Sequence, residues 1–521
     1  MVARSHSREK RAIAFYERGI ARLDDRWAGS GETGDRFRDP AHPYAEDLDL
    51  FGQGSAFQLI SSARTAVGEG VLAGWLMQPS SRKDVELRQQ AVNELQSRLD
   101  LREDLALMGG DVQAGIHPDS LIRWGNHPPL SFPAGARIIA AVFTACTVVS
   151  FSGYMLQMWE LRPFLIIVLV QSLFALVLRQ KVLRVLQSVE VPARDLALLS
   201  LVLGRFEKES FQSERLVRLR AQLETRGVPP SRRIASLRRL IDLHDSSRNQ
   251  AFVLFARFLL WSSHFAMAIE DWRRKSGPEI GPWLNAIGEL EALSSLAGYA
   301  AEHPDDPFPE FAEEQPLFSA EGIGHPLLSS RTVVRNDVRL DRDLRLLLIS
   351  GSNMSGKSTL LRAVGLNSVL AWAGAPVRAR RVVVSPLSIG ASIRVQDSLQ
   401  DGKSRFYTEI TRLRQIVDLS SGERPLLFLL DELLSGTNSH DRRIGAEAVV
   451  RNLVERGALG LVTTHDLALA SITETLEPCA ANVHFEDHIE DGRIVFDYKM
   501  RPGVVHKSNA LELMRSIGLD V

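Results

Sequence analysis

Residues 346–365, LLLISGSNMSGKSTLLRAVG, constrain this chain more than any other stretch. The preceding run LRLLLIS has the composition of a buried strand, and STLLRAVGLNSVLAWAG has that of a helix. Between them, Gly351-Ser-Asn-Met-Ser-Gly356-Lys357-Ser358 satisfies G-x-x-x-x-G-K-[ST] in the strand–loop–helix setting that gives the match meaning. Its glycines let backbone N–H groups point inward at phosphates, at the positive end of the following helix. Lys357 would reach the β- and γ-phosphates and Ser358 would hold Mg²⁺, so ATP and Mg²⁺ are the expected ligands. The expected nucleotide-binding set is Gly351, Ser352, Asn353, Met354, Ser355, Gly356, Lys357, Ser358 and Thr359.

Three further segments belong with this loop. The strand-like PLLFLLDELLSG delivers Asp431 and Glu432 at its C-terminal tip, beside the loop in a parallel sheet. Asp431 is placed to hold Mg²⁺ and Glu432 to orient and polarise the attacking water. A lone Asp-Glu pair is more often a solvated turn, but four leucines and a phenylalanine before it weaken that alternative. A third strand, GLVTTHD, ends in His465; lone histidines are usually structural, yet one at this tip can sense a γ-phosphate. Finally, residues 397–417 carry Gly402-Lys403-Ser404 just before a helix, without the leading glycine or strand of a true phosphate loop. The expected role is a helix N-terminus offering Ser404 to a phosphate held elsewhere, including in a partner subunit.

The chain's 521 residues suit two to four domains, and 45% hydrophobic with 24% charged residues leaves ample material for a core. With 62 basic against 63 acidic residues, a globally basic nucleic-acid binder is excluded, though a local patch is not. Cys146 and Cys479 are too few for a disulfide framework or a zinc site, which favours a reducing compartment. The charged N-terminus lacks the apolar run of a secretory signal.

Four stretches are expected. Residues 1–130 read as helical, with 29–55 a long irregular connection and Val85, Leu87, Val92 and Leu95 on one helix side. Residues 131–185 hold an apolar helical hairpin: 138–159 and 163–178 carry no charge. Arg137 precedes the pair, Arg179, Lys181 and Arg184 follow it, and the link holds only Glu160 and Arg162. Two readings stand: a membrane hairpin over 138–178 with both ends in the cytoplasm, or a buried helix pair, since Gln157, Gln171 and several Ser/Thr dilute the apolar character. Residues 186–311 read as further helix, with Arg232, Arg233, Arg238 and Arg239 on a solvated face and 251–272 a packed helix, and close in the Pro-rich acidic linker EHPDDPFPEF. Residues 312–521 form the P-loop domain with a C-terminal helix.

These pieces in this order resemble the ATPase domain of the MutS family, the DNA mismatch-repair ATPases of the ABC superclass. GSNMSGKST resembles the family's G-P-N-M-G-G-K-S-T, DGKSRFYTEI its signature loop, LLDELLSGTNSHDR its Walker B and D-loop, and TTHD its T-H switch. GHPLL and VRNDVRL upstream resemble the entry into that domain, and residues 48–79 more faintly resemble the core and lever region. The resemblance implies a multidomain protein: a largely α-helical core/lever region with a hairpin able to cross a membrane, then an α/β P-loop ATPase of ABC type. It further implies a Mg²⁺-dependent ATP hydrolase in which Lys357, Glu432 and His465 are catalytic, and Ser358 and Asp431 hold the metal. Ser404 would act in trans across a homodimer, and Asn438 and Asp441 would lie in the loop crossing that interface. Double-stranded DNA is the implied partner, expected to be held without the family's N-terminal mismatch reader and without a nuclease module. The rival reading is an ATPase anchored in the cell membrane that acts on a protein or lipid partner without DNA.

Overall fold

The computed structural model describes residues 2–113, 117–224, 227–246, 253–312, 315–352, 354–394, 405–434, 437–465, 467–490 and 493–504. It resolves into two compact units that do not follow chain order. Unit 1 gathers Met1–Arg11, Ala63–Gly68 and Asp100–Glu291; unit 2 gathers Ala12–Ser62, Glu69–Leu99 and Ala292–Val521.

Unit 2 holds all the described strands: β1 Glu310–Phe311, β2 Phe318–Ile323, β3 Asn336–Leu340, β4 Leu346–Ser350, β5 Arg381–Val384, β6 Ser388–Ser392, β7 Leu426–Leu430, β8 Leu459–Thr464, β9 Ala480–Glu490 and β10 Arg493–Pro502. A small mixed sheet runs β1-β5-β2-β3, and the main sheet runs β10-β9-β4-β8-β7-β6. In the main sheet β9, β4, β8, β7 and β6 are parallel, and β10 closes one edge antiparallel to β9. Every residue of β4, β7 and β8 is buried, as continuous apolar runs covered on both faces require. Leu348, Phe428, Leu430 and Val462 of the sheet pack with Ile416, Val450 and Leu453 of the helices Arg405–Leu419 and Ser439–Glu455.

Two segments expected to be connections are load-carrying parts of unit 2. In 29–55, Tyr44, Leu48, Leu50 and Phe51 are buried, and Arg412 donates to the carbonyls of His42 and Pro40. The segment follows Gly, Pro and Asp rather than a helical period because it is moulded onto the domain surface. Within 302–311, Arg378 Nε donates to Asp306 Oδ2 at 2.7 Å with both side chains nearly buried, and Val377 N–H donates to the Pro307 carbonyl. A buried ion pair pins this Pro-rich run inside unit 2, so it separates nothing. The helix Arg82–Gln96 does bury Val85, Leu87, Val92 and Leu95, and Ser81 Oγ caps it by accepting from Asp84 N–H.

Unit 1 is helical. The helix Ala136–Met155 is followed by the 45-residue helix Arg162–Phe206, which packs against the helices Pro230–Ser246 and Trp261–Ser276. The single packed helix expected over 251–272 is instead two, Val253–Phe258, which leaves Phe255 exposed, and Trp261–Ser276, which starts after left-handed Leu260 and buries Ala266, Met267, Ile269 and Trp272. On helix Pro230–Ser246, Arg232, Arg238 and Arg239 are exposed and Arg233 is half-buried. The C-terminal helix expected beyond 504 lies outside the described residues.

Candidate nucleotide site

Parallel strands bring their C-terminal ends to one edge of the sheet, and here that edge collects the chemistry. β4 ends at Ser350 and leads into the loop; β7 ends at Leu430 and leads into Asp431 and Glu432; β8 ends at Thr464, next to His465. Helix Lys357–Ala373 starts from the loop, with Gly356 as its left-handed N-cap. The two loop glycines are required sterically. At Gly351 (φ +150°) a Cβ would lie 2.9 Å from the Phe485 carbonyl oxygen and 3.0 Å from Ser355 Oγ; at Gly356 (φ +103°) it would lie 3.1 Å from the Tyr498 ring.

Lys357, only 5% exposed, donates from Nζ to the carbonyls of Gly351 (2.8 Å) and Ser352 (2.7 Å). Burial lowers its pKa, and the nearby Glu432 and Asp431 carboxylates oppose that shift. Thr463 Oγ1 donates to Asp431 Oδ1 and accepts the Glu432 N–H at 3.1 Å, so one β8 hydroxyl aligns both carboxylate residues. Glu432 itself has a left-handed backbone (φ 48°), a conformation costly for a non-glycine residue and common at functional sites. His465 Nδ1 lies 3.4 Å from Glu432 Oε1.

Gly356, Lys357, Ser358, Thr359, Met354, Asp431 and Glu432 share one cavity of about 780 Å³, large enough for a nucleotide. Ser352 and Ser355 each hold a buried Oγ with no hydrogen-bond partner among the described residues, as a loop built to receive anionic oxygens would. Ser358 and Asp431 offer a hydroxyl and a carboxylate, the oxygen set a P-loop Mg²⁺ takes beside phosphates and water; no group of three or more His, Cys, Asp or Glu forms a separate metal cage among the described residues. Nucleotide and metal both fit this donor set. Asn353 and Ser404 lie outside the described residues. Asn438 caps helix Ser439–Glu455, accepting from Asp441 N–H at 2.9 Å, and both side chains are exposed.

Sequence reasoning missed several residues here. Tyr498 sits where the β9–β10 register shifts between Phe496 and Met500, which frees its ring to close over Gly356. Asn336 holds that bulge: its Nδ2 donates to the Tyr498 carbonyl and its Oδ1 accepts Met500 N–H. His325 lines the same cavity and is 7% exposed; burial first, then Arg362 and Arg378, push its pKa down to about 4. Glu409 accepts the Leu434 N–H at 2.5 Å, tying helix Arg405–Leu419 to the loop after β7. Asp47 accepts the N–H groups of Ile393 and Arg394, anchoring the chain just before the residues that lead to Ser404. Glu409 had an advance signal in the signature pattern, and His325 and Asn336 lie within the quoted GHPLL and VRNDVRL, though no role was read for them; Tyr498 and Asp47 come into place through folding alone.

A parallel sheet whose strand tips gather a glycine loop, a lysine and an Asp-Glu pair defines a P-loop nucleotide-binding domain. Residues 347–520 match the family model of MutS domain V. The chain is 31% identical over 261 residues to the DNA mismatch repair protein MutS of Geobacillus thermodenitrificans, covering 49% of this chain and 28% of that protein. It is 33% identical over 244 residues to the endonuclease MutS2 of Thermus thermophilus, covering 45% of this chain and 30% of that protein. Residues 347–520 thus carry a MutS domain V, and the match spans less than a third of these relatives' length.

Proposed function

We propose that the chain is a Mg²⁺-dependent ATPase whose nucleotide cycle opens and closes a homodimer on double-stranded DNA. The observation that carries this reading is the convergence of Lys357, Ser358, Asp431 and Glu432 on one cavity. Lys357 neutralises phosphate charge from a fixed position, and the loop's N–H groups supply further donors at a helix N-terminus. Ser358 and Asp431 would hold Mg²⁺, which when bound spreads the charge developing on the phosphate oxygens. Glu432 accepts a proton from the attacking water, and His465, beside it, is positioned to report the γ-phosphate. Ser404 would meet the nucleotide of the partner subunit, and Asn438 and Asp441 would lie along that interface.

The DNA load is inferred from the relatives bearing this domain, one a mismatch repair protein and one an endonuclease. A duplex gripped through phosphates needs no mismatch-reading contact. The test is the steady-state ATPase rate with and without linear duplex, matched and mismatched, over a salt series. Stimulation by both duplexes that fades with salt supports the DNA reading. A basal rate indifferent to duplex favours the second reading, an ATPase held at a membrane that moves a protein or lipid partner. The exposed apolar hairpin of unit 1 is the observation in its favour.

A further inference from the structure

We infer that residues 138–178 cross a lipid bilayer as a helical hairpin, with the Glu160–Arg162 tip on the far side. This inference stands independently of what the ATPase acts on. An apolar helix is ordinarily the core of a soluble domain, and then it is buried. Here the most apolar stretches of helices Ala136–Met155 and Arg162–Phe206 are only 22% and 11% buried. Ile138, Val142 and Val149 on the first helix, and Ile166, Leu173 and Val177 on the second, are each more than half exposed. Water disfavours such side chains, so an exposed apolar surface of this extent demands an apolar partner.

Thr144, Thr147, Ser150, Gln171 and Ser172 are turned inward or satisfied within their own helix, while Ser152 and Gln157 are exposed toward the tip. Thr147 Oγ1 donates to Gln171 Oε1 at 2.8 Å, and Gln171 Nε2 donates to the Phe258 carbonyl at 3.0 Å. Thr147, Ser150 and Gln171 are each 5% exposed or less. Thr144 Oγ1 donates to the Ala140 carbonyl and lies 3.0 Å from His264 Nε2, and Ser172 Oγ donates to its own helix at Val168. Polar groups paired inside and apolar groups outside is the arrangement that hydrocarbon, not water, selects. At the turn, a Cβ on Gly153 would lie 2.1 Å from Trp159, whose Nε1 donates to the Ser150 carbonyl; the tip tryptophan thus folds back and is satisfied.

The dimensions and charges name the partner. Helix Ala136–Met155 has 20 residues, about 30 Å of rise, and a bilayer's hydrocarbon is about 30 Å thick. Charges stand at both ends of that length. The tip carries Glu160 and Arg162, paired at 3.3 Å and highly exposed, which excludes a loop that stops at the bilayer centre. The base carries Arg137, Arg179, Lys181 and Arg184, the positive flank of a cytoplasmic side, and two crossings return the chain to the side it left.

The test uses the full chain reconstituted into phosphatidylcholine–phosphatidylglycerol vesicles. Expected is flotation with the vesicles that survives both high salt and an alkaline carbonate wash. With Cys146→Ser and Cys479→Ser as background, Met158→Cys should react with a membrane-impermeant maleimide only after detergent opens the vesicles. Leu169→Asp with Leu173→Asp should cut flotation at least tenfold while ATP binding is unchanged, which separates lost insertion from misfolding. Release of the wild-type protein by carbonate, immediate labelling at position 158, unimpaired flotation of the aspartate variant, or a vesicle-free dimer joined through the hairpin would each overturn the inference.

Discussion

The two most apolar regions of this molecule are handled in opposite ways. β4 and β7, LLLIS and LLFLL, are buried at every residue, sealed between helices. The hairpin runs 138–159 and 163–178 are likewise free of charge, yet they leave Ile138, Leu173 and Val177 exposed. The difference teaches that composition says how strongly a segment avoids water but not what will shield it. Length and flanking residues decide that. Five-residue runs followed by a glycine loop or an Asp-Glu pair fit a strand inside a sheet, whereas the charge-free run 138–159, with Arg137 before it and Glu160 and Arg162 after it, is long enough to match the thickness of a bilayer.

That contrast can be broken by substitution. Phe428→Ala, at a fully buried β7 position, should cost about 3–5 kcal/mol of unfolding free energy in a denaturant titration followed through nucleotide binding. A cost below about 1 kcal/mol there would mean that the sheet core is not the tightly packed layer described. Arg378→Ala removes the close partner of a buried ion pair and leaves Asp306 only the more distant Arg335 at 3.9 Å, an expected loss of about 3 kcal/mol. Near-wild-type stability would return residues 302–311 to the role of a free linker.

His325 gives a smaller effect with a definite sign. Its pKa falls from 6.5 to about 4 on folding, because burial and then Arg362 and Arg378 disfavour the imidazolium. Above pH 6.5 both states are neutral and nothing is lost. As pH falls toward 4 the unfolded chain takes up the proton first, so stability declines by up to about 3 kcal/mol across that window. The difference in unfolding free energy between wild type and His325→Gln should therefore shrink on acidification and stay flat above pH 6.5. A pH-independent difference would show that His325 is not held neutral. Smallest of all, Leu173→Ala should change the protein's stability in detergent by no more than about 0.5 kcal/mol, since Leu173 touches little of its own chain. A loss comparable to that of Phe428→Ala would place the hairpin in a protein core and erase the contrast.

Legibility in the sequence followed locality. The P-loop, the Asp431-Glu432 tip and His465 each belong to one strand and its following turn, so period, composition and glycine placement disclose them. Tyr498 reaches the cavity only because the β9–β10 hairpin bulges, a pairing no local pattern encodes; Asn336 was in view within VRNDVRL, but its clasp on that bulge was not. Thr463 was in view as part of TTHD, but its grip on both acidic residues depends on the β7–β8 register that sets Leu430 opposite Val462. Residues 29–55 and 302–311 misled for the converse reason. Turn-rich composition marks an absence of regular structure, and here irregular backbone is buried through Leu48, Leu50 and the Arg378–Asp306 pair.

The central claim is that Glu432 is the base of an ATP-hydrolysing site, and comparing ATP binding with single-turnover hydrolysis for wild type and Glu432→Gln tests it most directly. The amide keeps the shape and loses the proton acceptor. The account predicts ATP affinity within a few-fold of wild type and hydrolysis slower by about a hundredfold or more. Hydrolysis at the wild-type rate by Glu432→Gln would contradict it.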